Sequence, residues 1–509
     1  MNAPLVHAPQ PTRPEPASAP AGPAREVRRE VLGRTPEGRS IEAWVLGGRS
    51  AELRIAAIGG QHGDEPWGSE AVRRWWGGRA AGTRAPEADA DVGIAAIPSL
   101  NPDGAARHTR RNALGNDLNR DHLLLENPET RTLHRFLRAY RPHLVVDVHN
   151  YPARRRHLLA RGWEIDPDVQ VGTPTHPAVR TSLGVPEVEE LYSALGTSLA
   201  RAGYRSGRYT LFRPSGRSRP GTQHVVDARN GIALRYGIPT VLLEGRDPGR
   251  GGTESDRERT VTAQQRALEA VEAWARDHRS VLVRGPPIPR REEPVAVDAG
   301  WGPGASTPEF VFRRTSSGDR VSVPWPAHRG EVLVRSSVLL PRAYAVRADL
   351  VAAHRVLADH GFEGDRDAPG PRALVEVPRT GTSRDRGLLP HAIPPEEFDL
   401  DGYVVYSVHQ WGGRALAVWL EPSSRYGLAR WDLLGETPAP GHRPAVVRVV
   451  GGGYPVPPVP PPGLEPGQRR PGAWGEGATP PPFPGRAERP PIVETNLLRF
   501  AEPAGAPAP

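Results

Sequence analysis

Four apolar runs confine the first half of this chain to one class of fold. They read LRIAAIGG (53–60), VGIAAIPSLNP (92–102), HLVVDVHNY (143–151) and GIPTVLLEGRD (237–247). Each is continuous rather than alternating, the pattern of a strand buried on both faces. Stretches with helical spacing separate and follow them: GSEAVRRWW (68–76), PETRTLHRFLRAYRP (128–142), VEELYSALGTSLARAGY (188–204) and RTVTAQQRALEAVEAWARDH (259–278). Strands alternating with helices of these lengths predict an α/β domain whose sheet is covered on both faces. Ahead of the first run, REVLGRTPEGRSIEAWVLG sets two alternating segments around the turn-like Thr35–Gly38 and predicts a hairpin.

The rest of the chain reads differently. Of 509 residues, 56 are Gly and 59 are Pro, and hydrophobic content is 37%. That balance points to globular domains joined by Pro-rich segments rather than one continuous core. Residues 1–25 are Pro/Ala-rich and predicted to be disordered. GPPIP (285–289) reads as a linker. Beyond it, EFVFRR, EVLVRSSV, YVVYSVHQ and RALAVWLEP read as strands of a smaller β-rich domain (285–450), with one helix at 348–361. Residues 451–509 are again Pro-rich and predicted to be disordered or polyproline, a possible docking segment for a protein partner.

Composition also limits the chemistry. There is no Cys, and every one of the 66 basic residues is Arg. Thiol nucleophiles, thiolate zinc sites and lysine Schiff bases are therefore excluded, and any metal must be held by His and carboxylates. The formal charge of +8 is spread among 58 acids, and no basic stripe interleaved with aromatics suggests nucleic acid. No apolar run approaches the roughly 20 residues of a membrane span. The N-terminal stretch lacks an apolar signal core, so a cytoplasmic location is expected.

The polar residues of interest fall where α/β sheets build sites, beyond the carboxyl ends of strands. His62 and Glu65 follow the first run, His149 ends the third and Glu244 ends the fourth. Two His and a carboxylate are the ligand set of a catalytic zinc with a position left open. A lone His-x-x-Glu is common by chance, His149 alone suits a satisfied buried histidine, and Glu244 alone suits a strand-end ion pair. Together, at strand ends, they read as a site.

The segment NPDGAARHTRRNALGNDLNRDH (101–122) adds a family resemblance. HGDE, NPDG, RRNALGNDLNR, VVDVHNY and TVLLEGRD, in that order, resemble the zinc carboxypeptidases of the carboxypeptidase A type over roughly residues 27–280. The resemblance implies a mixed, mostly parallel sheet flanked by helices, a catalytic domain at 26–284 and one zinc ion per chain. It implies His62, Glu65 and His149 as zinc ligands, with Asp117 supporting the first His. Asn119 and Arg120 are the implied clamp for a substrate carboxylate, and Arg110 the implied oxyanion partner, with Arg111 as the alternative. Glu244 is the implied general base and acid. The implied activity is removal of a C-terminal residue from a peptide. Related deacylases of N-acyl amino acids use similar motifs, so that activity is the alternative, and a scaffold that recruits partners is a third reading.

One family feature is missing from the sequence. A Tyr that closes over substrate usually precedes the catalytic Glu, and residues 221–245 offer no match. His224, Arg229 and Asn230 are the residues there that would line the pocket instead. Tyr236 is expected to pack in the helix before the fourth run. YPARRRH (151–157) carries three Arg that would select acidic side chains or simply form a solvated loop. The segments 338–362 and 409–434 resemble an accessory C-terminal region of some bacterial carboxypeptidase-like proteins, where Trp419, Tyr426 and Trp431 are expected to pack a β core.

Overall fold

Runs of Val, Ile, Leu and Ala build the central strands because both of their faces meet helices. In the computed structural model, the described residues are 27–47, 50–81, 91–249, 251–290, 293–366, 372–376, 396–435 and 443–452. The expected unstructured ends therefore lie outside them, except that the last strand runs on to Gly452. The elements of the main domain are β1 (Val27–Arg34), β2 (Ser40–Leu46), β3 (Leu53–Gly59), α1 (Pro66–Ala80), β4 (Val92–Ile97), α2 (Pro128–Tyr140), β5 (Leu144–Pro152), β6 (Val169–Gly172), α3 (Val185–Arg201), β7 (Ser206–Arg208), α4 (Ala228–Tyr236), β8 (Thr240–Asp247) and α5 (Glu254–Asp277). The eight strands form one mixed sheet in the order β1-β2-β4-β3-β5-β8-β6-β7. The centre, β4-β3-β5-β8, is parallel. β1 and β2 form the expected hairpin, and β6 runs antiparallel to β8.

Each face of the sheet has its own core. On one side Val146, Val148, Val241 and Leu243 pack with Trp75 of α1, Leu195 of α3 and Trp274 of α5. On the other, Ala56, Ile58 and Val145 pack with Leu133 and Leu137 of α2 and Ile232 and Tyr236 of α4. Tyr236 thus packs in the helix before β8, as expected.

A buried ion-pair cluster ties α1 to α5. Glu272 is 0% exposed, and its carboxylate meets Arg79 at 3.1 Å, Arg276 at 2.7 Å and the indole N–H of Trp75 at 3.1 Å. Removing one member of a buried pair strands the other charge, at a cost of about 3–5 kcal/mol. Glu272→Leu is expected to destabilise the fold by about that amount in urea unfolding. The double variant Glu272→Leu/Arg79→Met is expected to recover most of the loss.

The polypeptide after residue 294 packs directly on this domain. Val295, Tyr344 and Trp419 share a buried cluster with Leu123, Val225 and Leu234. Strand Glu309–Arg314 pairs with Trp163–Ile165, and a five-stranded sheet contains Ala343–Arg347, Tyr403–Ser407 and Val446–Gly452. Arg235 of α4 is fully buried in this junction. Its guanidinium donates to the carbonyls of His360 and Trp411 and sits 3.9 Å from the centre of the Phe362 ring. One expected strand is corrected: RALAVWL forms a helix, Arg414–Leu420, not a strand. All seven residues are buried, so no polar face marks a helical period, and a short apolar run of this kind is ambiguous between the two structures. Trp419 accordingly packs from a helix, against His360 and Phe362.

Candidate active site

The site forms where β3, β5 and β8 end side by side. The parallel register sets Glu244 of β8 directly beside His149 of β5, and Gln170 of antiparallel β6 opposite Glu244. After β3, Gly60 turns the chain with φ +63°, which suits glycine. Gly63 follows His62 because nothing larger fits. A Cβ there would lie 1.9 Å from the backbone carbon of Gly104. That contact gives the NPDG segment a structural purpose. Asn101 caps the short helix Pro102–Arg107 by accepting from Gly104 N–H at 2.8 Å, and it donates its own N–H to Gly60 O. The segment is thereby pinned against the His62 loop.

His62, Glu65 and His149 converge, each offering an atom within 4.8 Å of the others. Nδ1 of His62 lies 2.8 Å from one Glu65 oxygen and Nδ1 of His149 lies 2.9 Å from the other. The two Nδ1 atoms are 3.1 Å apart. Each ring has a carboxylate on its far nitrogen: Asp117 3.1 Å from Nε2 of His62, and Asp147 3.1 Å from Nε2 of His149. With Nε2–H directed at those carboxylates, both Nδ1 lone pairs face one point with a carboxylate. Two imidazole nitrogens and a carboxylate turned to one point form a donor set that fits zinc.

The charges respond accordingly. Burial works against protonation of His62 and His149, yet Glu65, Asp117 and Asp147 raise both above the usual histidine value. Burial pushes Glu65 and Asp117 up, and the neighbouring histidines outweigh it and hold both well below the carboxylate range. Glu244 goes the other way. Burial pushes its carboxyl up to about 7, and the nearby histidines only partly oppose this.

The other expected residues ring this centre. Arg110 donates through Nε to Asp117 at 3.0 Å, and its Nη1 lies 3.2 Å from Nδ1 of His62. Arg111 instead bonds Gly115 O. Asn119 Nδ2 lies 3.2 Å from Nε2 of His149, and its Oδ1 accepts from Ala228 N–H at the start of α4. Arg120 follows it on the same turn, half-buried. His224 meets Tyr426 edge-on, with ring centres 5.6 Å apart, and buried Asn230 bonds the backbone of Thr175 and His176.

The chain is 35% identical over 107 residues to carboxypeptidase 2 of Trichophyton rubrum, and 34% identical over the same length to that of Trichophyton tonsurans. Over this stretch the chain is similar to curated carboxypeptidases. The aligned stretch is 21% of this chain and spans about a fifth (20%) of each relative. A metallo-carboxypeptidase from Pseudomonas aeruginosa, solved with (2-guanidinoethylmercapto)succinic acid, superposes with TM-score 0.35 at 20% identity, over 50% of this chain and 65% of that one. No model of a protein family matches the chain.

Three features of the site were not read from the sequence. Asp147 sits two residues before His149, so strand alternation puts both on one face, and that spacing was the available signal. Behind Asp147 lies a buried polar chain. Gln61 donates to Asp147 at 2.6 Å, His122 bonds Gln61 Oε1 at 2.8 Å, His134 bonds His122 at 3.0 Å, and Tyr236 bonds His134 at 2.9 Å. Tyr209, just after β7, is the third. Burial pushes its phenol up, and Glu244 pushes it further, while Arg229, Arg120 and Arg155 oppose. A tyrosine therefore does neighbour Glu244, contributed by an earlier loop than 221–245.

Asp117→Asn tests the carboxylate behind His62. Loss of such a partner costs about 10–100-fold in metal affinity. The expected result is a zinc dissociation constant raised by that factor in competition with a chelating dye, with the melting temperature of the metal-free protein little changed.

Proposed function

We propose that this chain is a zinc-dependent metallocarboxypeptidase that hydrolyses the C-terminal peptide bond of a peptide. The observation that carries the reading is the convergence of two Nδ1 atoms and the Glu65 carboxylate, with Glu244 beside them in register. When bound there, a zinc ion acts as a Lewis acid on a carbonyl and makes water acidic near neutral pH. His62, Glu65 and His149 hold it, and Asp117 and Asp147 orient the two imidazoles. Glu244 takes a proton from the attacking water and returns it to the leaving amine. Its position near pH 7 suits a group that must both accept and donate. Arg110 stabilises the oxygen that gains negative charge. Arg120, with its planar fork, holds the substrate's terminal carboxylate, and Asn119 fixes the turn that carries it. Tyr209 is the residue suited to close over the bound peptide. In this reading residues 26–284 are the catalytic domain and 285–450 an accessory domain.

A panel of hippuryl-type peptides against N-acyl amino acids tests the reading in the presence of zinc. Cleavage of the peptides is expected; activity confined to acyl amino acids would assign a deacylase instead. No helix among the described residues is long and apolar enough to cross a membrane. The proposed location is the cytoplasm, and accumulation in culture medium above lysis markers would contradict it.

A further inference from the structure

The hydrogen-bonded chain behind Asp147 runs in one direction. Gln61, His122, His134 and Tyr236 are fully buried, so bulk water does not compete for their polar atoms. Asp147 Oδ1 takes two bonds, from Nε2–H of His149 at 3.1 Å and from the Gln61 amide at 2.6 Å. Its Oδ2 is buried with no hydrogen-bond partner among the described residues. A carboxylate oxygen that already accepts needs a second donor, so Gln61 points its NH2 at Asp147 and its oxygen at His122. That oxygen lies 2.8 Å from Nε2 of His122, which must therefore carry the proton. A neutral imidazole has one N–H, so Nδ1 of His122 accepts from Nε2–H of His134 at 3.0 Å. Nδ1 of His134 in turn accepts the Tyr236 O–H at 2.9 Å.

The far end fixes the same direction. Arg138 hydrogen-bonds the Tyr236 phenol, and a guanidinium only donates, so the phenol O–H is turned to His134. Burial keeps the two histidines between these ends neutral, pushing His122 down to about 4 and His134 well below the usual histidine value. The reverse set of tautomers would aim the Gln61 oxygen at the Asp147 carboxylate, acceptor against acceptor. The C-terminal region clamps the far end. Trp411 donates its indole N–H to Tyr236 O at 3.0 Å, Arg138 donates to Asp359 O, and His360 meets the His134 ring edge-on with ring centres 5.1 Å apart. A second buried His–Tyr pair differs: His354 lies 2.7 Å from Tyr406 OH and 3.0 Å from Arg347 O, so it ends on backbone. The chain through His134 ends instead on the carboxylate behind His149.

We propose that His122 and His134 are positioning residues that, through Gln61, hold Asp147 against His149 and so set how tightly the metal is bound. This rests on the zinc reading of His62, Glu65 and His149. Each link is pinned by the next, so the Gln61 amide cannot turn over without reversing both histidines. A carboxylate behind a ligating imidazole fixes the ring and raises its basicity. The C-terminal region thereby reaches the metal site through Tyr236, although the three converging ligands all precede it.

Two measurements on the full chain test this. Side-chain nitrogen–proton NMR of the zinc-loaded protein at neutral pH reads the tautomers directly. A proton on Nε2 of both His122 and His134 is expected, and one on Nδ1 of either overturns the inference. Competition with a chelating dye reads the consequence for zinc. His134→Phe, which bonds none of the ligands, is expected to raise the zinc dissociation constant about tenfold. His134→Gln, whose amide can accept from Tyr236 and donate to His122, is expected to recover most of that loss. In an Asp147→Asn background His134→Phe is expected to add nothing, because the chain acts only through that carboxylate. An equal effect in both backgrounds is a general structural one and overturns the inference. His354→Phe is the control, expected to lower the melting temperature and leave zinc affinity unchanged; a matching loss of affinity there also overturns the inference. If the melting curve shows His134→Phe unfolded, Tyr236→Phe, which removes only the last O–H, takes its place with the same expectation at smaller size. An unchanged dissociation constant in the folded variants overturns this inference and leaves the zinc reading standing. Absence of zinc from the unaltered protein overturns both.

Discussion

Glu244→Gln is expected to lower kcat for peptide hydrolysis by about 10²–10⁴-fold with zinc content unchanged. The amide keeps the size of the side chain and its place in β8 beside His149. It cannot accept the proton of the attacking water or pass one to the leaving amine. Glu244 is not among the three converging ligands, so its loss leaves the metal in place. Burial holds its carboxyl near pH 7, poised for transfer in both directions, which is why a large effect on turnover is expected and a small one on KM. Single-turnover kinetics with metal analysis checks this. A loss under tenfold would remove Glu244 from the role of general base.

His149→Ala is expected to abolish turnover by a different route. Nδ1 of His149 meets both Nδ1 of His62 and the carboxylate of Glu65, so the alanine variant keeps only two ligands. Zinc content should fall well below one equivalent, and the rate by a factor on the order of 10³ or more, since the Lewis acid is worth several kcal/mol. Stability supplies an independent readout. A ligand at a thousandfold excess over its dissociation constant stabilises the folded state by about 4 kcal/mol. Added zinc should therefore raise the melting temperature of the unaltered protein and leave that of His149→Ala almost unmoved. An equal rise in both would mean the metal binds elsewhere.

The centre of the site was readable because its residues end buried strands. His62, Glu65, His149 and Glu244 are polar interruptions of apolar runs, and such interruptions at carboxyl ends stand out in a linear text. Asp147 was less visible: it lies inside the run VVDVH, where its partnership with His149 depends on strand alternation and on Gln61 from another strand end. Tyr209 escaped because it follows a three-residue strand, Ser206–Arg208, and reaches Glu244 only through the pairing of β6 with β8. The α/β alternation of the main domain was legible because α1, α2, α3 and α5 each keep an exposed face. The helix Arg414–Leu420 was not, because all of its residues are buried. Arg229 was legible only as one candidate for the pocket wall. Its surroundings are set in three dimensions, by Gly172, Thr175 and Gly221 from separate segments.

The central claim, that His62, Glu65, His149 and Glu244 hydrolyse the bond ahead of a free terminal carboxylate, is tested most directly by mass spectrometry of two peptides incubated with the zinc-loaded protein. One ends in a free Glu, and the other is the same sequence with a C-terminal amide. The account predicts loss of a single residue from the free peptide and none from the amide, because Arg120 has no carboxylate to hold in the latter. Equal cleavage of both, or an intact free peptide in the presence of bound zinc, would contradict it.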